Sequence, residues 1–137
     1  MKKNTKGFTL IELLAVIVIL AIIALIAVPV ILNILNKARI SAAEDTSYSV
    51  LNAAELYYAE TLLDNPTEAF VETTLTLPTD AQGGATAKLQ VKGTVPTAGT
   101  VVISANGTAT IGQDLIIGEI SCYQDGTQVN CVKTSER

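Results

Sequence analysis

The residues with chemical potential stand at the front of the chain, in Lys6-Gly7-Phe8-Thr9-Leu10-Ile11-Glu12. After them, Leu13 to Leu32 contain no charged and no hydrogen-bonding side chain. Glu12 is thus a carboxylate at the near end of an apolar run, where a passive anchor has no use for one. A charge inside a membrane helix is costly and marks function by default. In a dry setting a carboxylate attracts an ammonium far more strongly than in water, so charge pairing is the chemistry to expect of it. Elsewhere reactive groups are scarce. The 137 residues include no histidine and two cysteines, Cys122 and Cys131, too few for a Cys-only zinc site. No nucleophile stands with a base, no glycine loop suits a phosphate, and no carboxylates form a catalytic pair. A protein that is not an enzyme, with no cofactor and no metal, is expected.

These residues need an element to position them. At about 1.5 Å rise per residue, a helix over Leu13 to Leu32 is long enough for a hydrocarbon core of roughly 30 Å. Lys2, Lys3 and Lys6 ahead of it place the N-terminus on the cytoplasmic side. Lys37 and Arg39 beyond it oppose that bias, but the inner cluster is larger.

At Gly7-Phe8-Thr9-Leu10-Ile11-Glu12 the chain resembles a type IV prepilin, the precursor of the subunit of type IV pili and related pseudopili. The resemblance covers the leader and the N-terminal helix. It implies a prepilin peptidase that cuts the Gly7–Phe8 bond and N-methylates Phe8. It also implies a membrane platform protein and an assembly ATPase, and a homopolymeric helical filament. Filament roles in the family include adhesion, surface motility, aggregation and DNA uptake. The family has a proline inside the helix, matched by Pro29, where a kink is expected because proline lacks an N–H and clashes with the preceding turn. Many members carry a helix-breaking glycine upstream of it. This chain has none from Phe8 through Gln82, so local unwinding in a filament would rest on Pro29 alone.

Cleavage gives Glu12 a partner. A free α-amine on Phe8, with a reference pKa of about 7.7–8.0, is mostly protonated at neutral pH. Glu12 of a subunit waiting in the membrane would pair with the Phe8 amine of its neighbour while apolar faces exchange lipid for helices. The alternative is that Glu12 snorkels to the headgroups. Other readings of the segment compete. A secretory signal has an apolar region of about 7–15 residues and a small-residue cleavage site; this run is longer and offers only wrongly spaced alanines. A plain signal anchor leaves Glu12 and the Gly-Phe junction unexplained. At the level of function, the alternatives are a pseudopilin of a secretion or competence machine and a monomeric membrane-tethered binding module.

Removing residues 1–7 takes away three lysines and moves the net charge from −4 to −7. An acidic chain without tryptophan does not suit nucleic acid, which needs clustered cations and stacking rings.

The expected organisation is a leader at 1–7, a transmembrane and assembly half of the helix at 8–36, an amphipathic half at 37–65, and a linker with sheet at 66–137. Ile40, Ala43, Ser47, Val50, Leu51, Ala54, Tyr57, Tyr58, Thr61 and Leu62 recur at helical spacing, with Glu44, Asp45, Asn52, Glu55 and Glu60 largely off that face. Asp64-Asn65-Pro66 ends the helix. Residues 67–84 read poorly: Glu68 to Val71 suit a short helix or a strand start, Leu75 and Leu77 alternate with threonines, and Asp80 to Gly84 suit a loop. From Thr86 to Val95 the period becomes two, predicting a half-buried strand whose Lys88 and Lys92 make a solvated face. A turn at Pro96-Thr97-Ala98-Gly99 leads to a strand over Thr100 to Ser104, and Asn106-Gly107 signals a hairpin. Asn106-Gly107-Thr108 also fits an N-glycosylation acceptor, although the turn accounts for the same residues. Strands over Thr108 to Ile111 and Leu115 to Tyr123, split at Gly112-Gln113-Asp114, and a last one over Val129 to Lys133 complete an antiparallel meander. The fold class is α+β, a long helix packed against a small antiparallel sheet.

Cys122 and Cys131 would face each other if Asp125 to Gln128 form a four-residue loop. A two-residue Asp125-Gly126 turn would set them on the diagonal, beyond relaxed disulfide geometry. Oxidation outside the cytoplasm favours the bridge over two reduced thiols, and the resemblance implies a bridge closing a C-terminal loop. The expected localisation is a single-pass membrane precursor, then an extracellular surface filament.

Overall fold

The computed structural model describes residues 6–81 and 88–137. Its first element, α1, runs over Leu10–Asp64 and contains Pro29. The stop falls where the residue before a proline is pushed out of helical geometry, and the Asn65 N–H closes the last turn on the Thr61 carbonyl at 3.1 Å. The chain divides into two compact units, one ending at Lys37 and one spanning Ala38–Arg137.

In the first unit, the Leu, Ile and Val side chains from Leu13 to Leu35 are exposed all round the helix. Burying one such side chain is worth about 1.5–3 kcal/mol, so a surface of this kind calls for lipid or for neighbouring helices. By length and composition α1 is able to cross a membrane.

The second unit joins the outer part of α1 to a five-stranded antiparallel sheet. The strands are β1 (Thr73–Leu77), β2 (Ala98–Ile103), β3 (Ala109–Ile117), β4 (Ile120–Asp125) and β5 (Gln128–Lys133), and their spatial order is their sequence order. The α+β class and the meander are as expected. Ala43, Ser47, Val50, Leu51 and Ala54 are buried, and Ile40, Tyr57 and Tyr58 pack on the same core. That face is the one its spacing predicts. Ser47 is tolerated there because its hydroxyl donates to the Ala43 carbonyl at 2.9 Å, which leaves no buried donor unpaired.

Four details of the sheet differ from expectation. Thr73 to Leu77 form a strand, with Leu75 and Leu77 turned into the core between exposed threonines. This strand takes the edge of β2, pairing Thr73 with Ile103 and Leu77 with Gly99. The strand expected from Thr86 to Val95 is therefore not there: Thr86 and Ala87 lie outside the described residues, and 88–95 is irregular backbone. Leu89 is buried and Val91 and Val95 are half-buried, so the period of two records burial without a ladder. Ser49 fastens this segment to α1, its hydroxyl donating to the Lys92 carbonyl at 3.2 Å and accepting from the Lys92 N–H at 3.3 Å. Lys88 is paired with Asp80 at 3.3 Å rather than standing on a strand face.

The break expected at Gly112-Gln113-Asp114 is also absent. β3 passes through it, and its hairpin with β4 turns at Gly118-Glu119 between the paired Ile117 and Ile120. The irregularity there is a register shift between β2 and β3, a bulge that bends a strand without ending it. Gly99 lies opposite, at φ 125°. A Cβ on it would sit 2.6 Å from the Asp114 carbonyl oxygen and 2.9 Å from Leu115 Cα. Both are backbone atoms and neither can swing aside. Gly99→Ala is therefore expected to destabilise this unit by about 1–3 kcal/mol, read as a lower midpoint at unchanged slope in a urea titration. An unchanged midpoint would mean that the bulge is softer than its geometry.

The hairpin at Asn106-Gly107 forms as expected. Asn106 Oδ1 accepts from the Thr108 N–H at 3.1 Å, and the Ser104 N–H donates to the Thr108 carbonyl at 3.0 Å. Beyond β5, a single 3-10 turn over Thr134–Glu136 leads to Arg137. Its guanidinium grips the Asp114 carboxylate and lies 3.9 Å from the centre of the Tyr123 ring.

Candidate functional site

Lys6 to Thr9 precede the helix in irregular conformation, with Gly7 and Phe8 exposed. The Gly7–Phe8 bond thus lies on accessible, non-helical backbone. Thr9 is where the helix begins. Its carbonyl accepts the first helical bond, from the Leu13 N–H at 3.2 Å. Its side-chain oxygen accepts from the Glu12 N–H at 3.3 Å. In return Glu12 Oε2 accepts from the Thr9 N–H at 2.7 Å and from the Thr9 hydroxyl at 2.8 Å. This reciprocal pair is a capping box, in which two otherwise orphaned backbone donors at a helix start are satisfied. The expectation of a helix from Phe8 is corrected by it: α1 starts at Leu10 because Thr9 takes the capping position.

The Thr9-x-x-Glu12 cap is the feature that reading the sequence missed. The signal was present as a threonine three residues ahead of an acid before an apolar run. Both bonds from Thr9 fall on Oε2, and among the described residues Oε1 has no partner. One oxygen of the carboxylate holds the helix start, and the other has no hydrogen-bond partner among the described residues.

Pro29 lies inside α1, which continues through it. The missing N–H leaves the carbonyl four residues back, on Leu25, without its helical donor. At the far end of the chain, β4 and β5 pair so that Cys122 stands opposite Cys131, and the two are joined by a disulfide. The register expected from the sequence is correct, while the loop is shorter: Asp125 and Gln128 are themselves a pair, leaving Gly126-Thr127 as the turn. Cys122 is fully buried and Cys131 nearly so.

Residues 2–28 match the family model described as the prokaryotic N-terminal methylation motif. No curated protein and no solved structure matches the chain. The match supports a type IV prepilin-like family, pilin or pseudopilin, whose members are generally structural. It implies processing by prepilin peptidase and handling by pilus assembly machinery in general. Together with the apolar helix it fits a membrane-anchored precursor.

Proposed function

We propose that this chain is the structural subunit of a type IV pilus. Prepilin peptidase cuts between Gly7 and Phe8 and methylates Phe8. The leader is residues 1–7, the assembly half 8–36, with its helix starting at Leu10, the amphipathic half 37–65, with its helix ending at Asp64, and the linker and sheet 66–137. Subunits leave the membrane and polymerise through the helix, exchanging lipid for neighbouring helices over the exposed apolar side chains. Glu12 supplies the register. Its Oε1, free of the cap, receives the Phe8 ammonium of the adjoining subunit, an attraction that strengthens as water is excluded. Pro29 is the place where the helix yields as subunits pack. The sheet with its disulfide faces outward, and the protein has no catalytic task.

The observation that carries this reading is the methylation motif over residues 2–28 at the head of a helix whose apolar side chains from Leu13 to Leu35 are exposed. The test is expression with and without a prepilin peptidase, measuring intact mass and the fraction recovered in sheared surface filaments. Loss of Met1 to Gly7 with the mass of one added methyl, and product in the filament fraction, is the expected result. Cleavage and methylation without surface filaments would make it a pseudopilin or a minor subunit. An uncut monomer in the membrane would overturn the reading in favour of a tethered binding module.

A further inference from the structure

The sheet of the second unit is open, with β1 and β5 as its edges. Open edges are templates for pairing with another chain, and proteins that must avoid this block them. We infer that Asp80 and Tyr48 guard these two edges against strand addition by a second copy of this chain, so that self-association cannot run through the sheet.

The guard on β1 is Asp80. Its carboxylate accepts from the Thr76 N–H at 2.7 Å, and its own N–H donates to the Thr76 carbonyl at 2.9 Å. Both outward groups of Thr76 are thereby occupied by a residue of the same chain. Asp80 is itself held from three sides. Its carbonyl accepts from the Lys88 and Leu89 N–H groups at 3.0 and 2.9 Å, and its carboxylate meets the Lys88 ammonium at 3.3 Å. Pro78 lacks an N–H, so the edge offers no donor just past the strand. What remains among the described residues is Thr74, exposed and two residues from Thr76 on the same outward row.

The guard on β5 is Tyr48 of α1, whose hydroxyl accepts from the Val129 N–H at 3.2 Å. Cys122 faces Cys131 across β4 and β5, and Val129 shares the outward row with Cys131. The Tyr48 hydroxyl thus interrupts the row of donors that a new strand would need. Each edge is interrupted at a defined point, where one substitution frees a single donor, the Thr76 N–H on β1 or the Val129 N–H on β5. The inference does not depend on the filament reading, since a guarded edge serves a pilin, a pseudopilin or a tethered monomer alike.

The test uses the full chain in detergent micelles, which shield the apolar helix, with sedimentation followed against protein concentration and thermal melting as a check on folding. Asp80→Ala combined with Tyr48→Phe is expected to associate at an about tenfold lower concentration than the unaltered chain, with its melt still cooperative. Asp80→Ala with Thr76→Pro, Tyr48 being kept, removes the β1 donor that the alanine uncovers and should behave as the unaltered chain does. Asp80→Asn, whose amide oxygen still accepts from Thr76, should sediment as the unaltered chain does. Unchanged sedimentation of the double variant overturns the inference. So does association that persists in the Asp80→Ala, Thr76→Pro variant, or that comes with loss of the melt, because unfolding rather than edge pairing would then be its cause.

Discussion

Glu12→Gln is expected to abolish filament assembly as fully as Glu12→Ala, although only the alanine removes the cap. The cap seen at this side chain and the charge pairing proposed for it separate on chemistry. A glutamine oxygen still accepts from the Thr9 N–H and hydroxyl, so the capping box survives. The charge does not survive, and with it goes the attraction to a neighbouring ammonium in a setting where water is excluded. The sheared-filament fraction should fall by at least about tenfold in both variants, while intact mass still shows the loss of residues 1–7. Thr9→Val is the converse: it removes the hydroxyl that bonds Glu12 in both directions but keeps the carboxylate, and should weaken assembly far less. Glu12→Gln filaments at the normal rate would remove charge pairing from the mechanism and leave Glu12 as a helix cap.

Reduction of the Cys122–Cys131 bridge is expected to cost the second unit about 2–3 kcal/mol of stability, the amount appropriate to a short closed loop. For a unit of this size each kcal/mol moves the melting midpoint by about 4–8 °C, so the reduced chain should melt roughly 10–20 °C lower. The measurement is circular dichroism in detergent, with and without reductant. Replacing both cysteines by alanine should give a similar fall. Serine should do worse, because a hydroxyl at the fully buried Cys122 has to find a partner or remain unpaired. A reduced chain that melts with the oxidised one would mean that the hairpin is held by its ladder and core alone.

What the sequence made legible follows the strength of each local signal. The first part of α1 was plain because twenty consecutive apolar residues permit few structures, and its outer face because burial at helical spacing matches the residues from Ile40 to Tyr58. The Cys122–Cys131 pairing was legible because register in a hairpin is fixed by its turn. β1 was not legible. Five residues with two leucines give a faint period, and what makes them a strand is the edge of β2 some twenty residues later. The same competition acts on the strand expected over 86–95, whose described part, 88–95, is held by Asp80 and Ser49 instead of by strand bonds. Gly112 resembles turn chemistry, yet a Cβ there would meet Thr100 Oγ1 and Val102 Cγ2 at 2.9 Å; its glycine answers to a tertiary contact, and no local rule carries that information. At the candidate site, the Gly7–Phe8 junction and Glu12 stood out by type, while the part played by Thr9 needed the geometry.

The order of the strands bears on how this unit reaches its native state. Every strand pairs with the one made just before it, so each pairing closes over a short stretch of chain except the step from β1 to β2. Local closures of this kind carry a low loop entropy and favour rapid folding. The thiols lie on the last hairpin, nine residues apart, and with two cysteines in the chain there is one bridge to make. A polypeptide emerging N-terminus first has no wrong partner to shuffle away from, and its oxidation waits only for its final hairpin to close.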